Sequence, residues 1–143
     1  GYPTVLVLDS MGKAYAITGY KNGGPKPYLK HLEEFKAGKE KIEALLKEAK
    51  GKTAEEQAKI LDKVYIAAQE NRVEKFHIET QKKIIQLDKE NKLGLKGKHA
   101  LALYQHFTKK KDPKAKQYLE LVKKYAPEKV KAIEVEQKLK KIL

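Results

Sequence analysis

GYPTVLVLDSMGKAYAITGY, residues 1–20, decides how the rest of the chain is read. Residues 5–8, VLVL, are a short apolar run, and Asp9, Ser10, Met11 and Gly12 read as a turn. Residues 14–18, AYAIT, are a second run rich in aromatic and β-branched types. Two such runs around a turn with Asp and Gly predict an antiparallel β-hairpin. Asp9 is the natural turn residue, because its side chain accepts hydrogen bonds from backbone N–H groups just beyond it. A two-stranded hairpin is marginal in water by itself, so something must cover it.

Beyond the loop KNGGPKP, residues 21–27, the apolar spacing turns helical. Pro27 suits the first turn of a helix carrying Tyr28, Leu32, Phe35, Ile42, Leu46 and Ala49, widened by Leu29 and Leu45. Gly38 inside that stripe marks a bend, a close contact or a break, and Gly51 ends the segment. Thr53 followed by Glu56 is a capping box that opens a second helix, with Ala58, Leu61, Val64, Tyr65 and Ala68 on one side. A third carries Val73, Phe76, Thr80, Ile84 and Leu87, with Asn71 as its cap; the pattern leaves open whether residues 53–70 and 71–88 are one helix. A fourth runs from Leu93 and Gly94 through Ala100, Leu103, Tyr104 and Phe107. A fifth starts at Asp112-Pro113 and carries Ala115, Tyr118, Leu119, Val122 and Tyr125. The sixth opens at Pro127, carries Val130, Ile133, Val135, Leu139 and Ile142, and ends without a sharp stop. The predicted class is α+β, predominantly helical: an N-terminal antiparallel hairpin, then five or six helices in an irregular bundle or short array. No tetratricopeptide period is present.

Composition narrows the chemistry. The 143 residues hold 32 Lys and Arg against 19 Asp and Glu, a net +13. Nearly all of the excess is Lys, with Arg72 the one Arg, whereas base reading and bidentate phosphate contacts favour Arg. Lys109, Lys110, Lys111, Lys114 and Lys116 are the densest basic patch, but the nearby Tyr104, Phe107 and Tyr118 fall on the core stripe and would stack no bases. A solvated lysine surface is therefore preferred over a nucleic-acid interface. There is no Cys, hence no disulfide or thiolate in this chain. No apolar run approaches the ~20 residues that cross a bilayer. His31, His77, His99 and His106 lack the helical spacing of a two-ligand metal site; His31 reads as a surface pair with Glu34 and His77 as a partly buried spacer. The carboxylates, including Asp9, Glu33, Glu34, Glu55, Glu56, Asp62, Asp88 and Glu90, sit where turns, helix starts and wet faces want them, so no acid–base pair, no catalytic residue, no cofactor site and no metal site is expected. The first residue is Gly, not Met, and it leads straight into a strand, which suggests a processed or cut N-terminus.

Two stretches carry a resemblance. Residues 1–20 resemble the latter part of a thioredoxin-like domain, in which a cis-proline loop, a strand, a D-x-x-G-K turn, a second strand and a last helix follow one another. Pro3 matches the cis-proline, Asp9 with Gly12 and Lys13 the turn, and residues 27–37 the start of the last helix. Ile85, Leu87, Asp88, Asn91, Lys92, Gly94, Leu95 and Lys98 are similar to a pattern that joins two helices in the extension of certain bacterial envelope thioredoxin-like proteins.

The resemblance implies the C-terminal half of such a domain over residues 1–50 and an all-helical extension over 51–143. The half that bears C-x-x-C is absent. It also implies Tyr2, Pro3 and Thr4 as a substrate-contacting loop, a parent that is a thiol–disulfide oxidoreductase, and a periplasmic or cell-envelope location, with the cytoplasm as the alternative. Without its missing half, the strand from Val5 to Leu8 has an open edge. Two copies would pair there as a homodimer, or the long first helix would cover the hairpin. The competing class is a helical module that binds a protein or peptide, with a degenerate thioredoxin-like portion. A basic nucleic-acid-binding domain is the third reading.

Overall fold

The computed structural model describes residues 4–143. Strands β1 (Thr4–Leu8) and β2 (Ala14–Gly19) form a two-stranded antiparallel sheet with Thr4 opposite Gly19 and Val7 opposite Ala16. Leu8 then faces Ala14, so Tyr15 is an extra residue that bulges from β2. Asp9 builds the turn as its chemistry predicts: Oδ1 accepts the N–H groups of Met11 and Lys13, both at 2.9 Å. Gly12 takes φ +78°, the left-handed conformation that closes the turn.

Helix α1 (Pro25–Ala49) starts two residues earlier than Pro27, after Gly24. It runs unbroken through Gly38, where an added Cβ would meet nothing within 4 Å; neither a break nor a close contact explains this glycine. A short link, residues 50–53, leads to α2 (Ala54–Ala68). The capping box forms in full: Thr53 Oγ1 accepts from Glu56 N at 3.2 Å, and Glu56 Oε2 accepts from Thr53 N at 3.1 Å. Helices α1 and α2 pack on each other around buried Ile42, Val64 and Ala68, flanked by Leu45, Leu61, Ala67 and Phe76.

A 3-10 turn (Gln69–Asn71) and Arg72, at φ 60°, separate α2 from α3 (Glu74–Leu87), so the second and third helices are distinct. Beyond them come α4 (Leu95–Lys109), α5 (Ala115–Tyr125) and α6 (Glu128–Ile142). The chain is thus predominantly helical, with an N-terminal antiparallel hairpin followed by six helices among the described residues.

The chain packs as two compact units, Gly1–Thr80 and Gln81–Leu143, which divide inside α3. The packing of α1 on α2 lies within the first unit. In the second unit α4 lies against α5. Leu103, Val122, Ile84 and His99 are fully buried, and Phe107 stacks on Tyr118 with ring centroids 5.6 Å apart. Gln137 of α6 donates to the Tyr104 hydroxyl at 3.0 Å.

Candidate functional site

The substrate loop implied by the resemblance comprises Tyr2, Pro3 and Thr4. Tyr2 and Pro3 lie outside the described residues. Thr4 is the first residue of β1 and is exposed. The strand it opens is unusual for a two-stranded sheet: Leu6 and Leu8 are 55% and 50% exposed, although the run is apolar on both faces. β1 pairs with β2 alone among the described residues, so its other edge carries free backbone donors and acceptors.

The opposite edge of the hairpin is anchored. Thr18 Oγ1 and His31 Nε2 are 2.7 Å apart, a hydrogen bond that ties β2 to α1. The His31 imidazole packs edge-on against Phe35, one helical turn on, with centroids 4.6 Å apart. The expected surface pairing of His31 with Glu34 is thus replaced by a bond to the sheet. β2 also lies against the 3-10 turn after α2. His77 locks that turn, since its Nε2–H has two acceptors in reach, the Ala68 carbonyl and Asn71 Oδ1, the latter at 2.8 Å. Two acceptors on one nitrogen fix the proton there. Asn71 Oδ1 also accepts from Val73 N at 3.2 Å, the capping role its position predicts.

Between β2, α1 and this turn lies a cleft of about 750 Å³. Ile17, Phe35, Ile42, Ala67 and Phe76 give it apolar walls. Charged residues of both signs border it, among them Asp9, Lys39, Arg72 and Glu79. The Lys39 ammonium lies 5.6 Å from the Tyr15 ring centroid and ion-pairs with Glu43. The bond to Glu43 raises the Lys39 pKa from its ordinary 10.5. A cleft with apolar walls and a mixed-charge lip suits a peptide or an apolar side chain better than it suits bond-making chemistry.

Sequence reasoning missed the centre of the second unit. Asp88 reads as a polar helix end, yet it is 2% exposed. Its carboxylate accepts three backbone N–H groups, from Leu93 at 3.2 Å, Leu95 at 3.0 Å and Lys96 at 3.1 Å, and so satisfies the start of α4. Asn91, at φ 58°, clamps the same junction: Oδ1 accepts from Gly97 N and Nδ2 donates to Tyr125 O, each at 2.9 Å. The pattern of residues 85–98 is therefore a structural joint between helices. His99 is fully buried, and the Gln81 side-chain amide approaches its Nδ1 at 3.4 Å. Among the described residues no three His, Cys, Asp or Glu side chains gather as a metal site requires. No helix of these residues is long and apolar enough to cross a membrane. No family model matches this chain, and no curated protein or solved structure matches it.

Proposed function

We propose that residues 1–50 are the last two strands and last helix of a thioredoxin-like domain, that residues 51–143 are its helical extension, and that the complete protein is a thiol–disulfide oxidoreductase of the periplasm or cell envelope. The supporting observation is β1. A sheet with one wet face alternates apolar and polar residues, whereas a strand enclosed in a larger sheet is apolar throughout. VLVL has the second composition, yet Leu6 and Leu8 are half exposed and one edge is unpaired among the described residues. Further strands along that edge would complete the pairing, and helices packed on the enlarged sheet would cover the leucines. This chain has no Cys, so on this reading the dithiol belongs to residues outside the sequence, and Tyr2, Pro3 and Thr4 meet the substrate.

The test is the coding sequence upstream of residue 1, followed by a disulfide-reduction assay on the polypeptide it encodes. A C-x-x-C segment and catalysed reduction of a protein disulfide are the expected results. An upstream region without paired cysteines, or one that reduces nothing, removes the redox reading. The cleft favours a second reading, a protein- or peptide-binding helical module. Saturable chemical-shift changes at Phe35 and Phe76 on titration with an extended apolar peptide would support it, and unchanged spectra would not. The same open edge fits a second copy of this chain, and a dimer that Leu6→Lys converts to monomer would reveal it.

A further inference from the structure

Charge is divided unequally between the two units. Residues 81–143 hold 18 Lys against 7 Asp and Glu, a net +11, whereas residues 1–80 hold 14 Lys and Arg against 12, a net +2. Within the basic unit, α6 has two apolar sides. One is used: Ile133 is buried, and Gln137 bonds to Tyr104. The other is bare. Val135, Leu139 and Ile142 are 56%, 53% and 79% exposed. At 3.6 residues per turn these three fall within about 60° of arc, on the side of α6 away from Ile133. Lys131 and Lys138 border the arc on one flank, with Lys141 beyond them, and all three are exposed; Ala132 and Glu136 lie on the other flank. Glu128 shares the arc but sits in the first turn, two turns before Val135. Glu136, on that second flank, lies 3.7 Å from Lys140, a surface pair that offsets its charge.

We propose that α6 docks this basic unit on the surface of an anionic lipid bilayer. Val135, Leu139 and Ile142 enter the interface, and the flanking lysines lay their methylene stems along it with their ammonium groups at the headgroups. A soluble polyanion would answer the charge but leave the apolar arc in water. A second copy would cover the arc but bring two +11 units together. An anionic membrane surface satisfies both features at once, and the proposal does not depend on the thioredoxin-like reading.

The test is co-sedimentation of the full chain with vesicles of phosphatidylcholine alone and of phosphatidylcholine with phosphatidylglycerol. Binding to the anionic vesicles only, weakened by high salt, is expected. Leu139→Ser with Ile142→Ser should lower the partition coefficient about tenfold. Because both side chains are exposed, the circular dichroism spectrum and melting curve should not change. Lys138→Gln with Lys141→Gln should lower it several-fold and flatten the salt dependence. Three results would overturn the proposal: no preference for anionic vesicles, anionic binding that the serine pair leaves intact, or a lipid-independent dimer that the serine pair dissociates.

Discussion

Replacing Asp88 with alanine should unfold the second unit more readily than any surface substitution. The carboxylate is 2% exposed and accepts the N–H groups of Leu93, Leu95 and Lys96. Hydrogen bonds to a charged group contribute ~1.5–3 kcal/mol each, and loss of a helix N-cap alone costs ~0.5–2 kcal/mol. The three bonds share one acceptor group, and water replaces part of what is lost, so the sum is well below three independent bonds. A cost of about 3 kcal/mol follows. With a urea m-value of about 2 kcal/mol per molar, the midpoint should fall by about 1.5 M. Asp88→Asn keeps one acceptor oxygen and should cost about half as much. Glu90→Ala, on an exposed neighbour, should stay within about 0.5 kcal/mol of the parent. Amide exchange supplies the local readout: the Leu95 and Lys96 N–H groups should lose protection in the alanine variant before the amides of α1 and α2 do. A midpoint unchanged within error, with both amides still protected, would refute this account of the α3–α4 junction.

Two glycine substitutions should act in opposite directions. An added Cβ at Gly97 would lie 3.0 Å from Ala126 Cβ and 3.4 Å from the Tyr125 carbonyl, so Gly97→Ala should destabilise by ~1–2 kcal/mol despite the better helix propensity of alanine. Gly38→Ala meets nothing within 4 Å in the middle of α1 and should stabilise by ~0.5–1 kcal/mol; thermal melts distinguish the two. Thr53→Ala should cost ~1 kcal/mol through the capping box, read as lost helicity of α2. The hydrogen bond from the Thr53 backbone, and then that with its side chain, hold the Glu56 carboxyl below its ordinary 4.5. Its contribution is therefore complete above pH 4.5 and is lost as pH falls through the lowered value, a step that Glu56→Gln should remove from an acid titration. Burial raises the Tyr118 hydroxyl above its ordinary 10.0, against a weaker opposing bond with Gln117. That contribution is complete below pH 10.0 and is lost as pH rises through the raised value; tyrosinate absorbance of the Tyr118→Phe variant should lack the late step.

The local features follow from rules that act over a few residues. Asp9 and Gly12 make the hairpin turn because an aspartate side chain reaches backbone N–H groups two and four residues on. Thr53 and Glu56 cap α2 for the same reason, and the helix-period stripes place Val64, Leu103, Phe107, Tyr118 and Val122 in cores. Buried Ile60 was not on the predicted stripe of α2, since a stripe drawn from one helix does not know what packs beside it.

What the sequence determined by itself is the order of elements and the chemistry open to the chain: a hairpin, then helices, with no thiol. Tertiary structure alone decided the burial of Asp88 and His99, the bond of Thr18 to His31, the cleft beside Phe35 and Phe76, and the second, bare side of α6. The physical reason is one of distance. Turns, caps and periodicity are satisfied by groups a few residues apart, so they can be read in the sequence. Whether a carboxylate, an imidazole or an apolar arc is covered depends on segments far along the chain that arrive beside it only on folding.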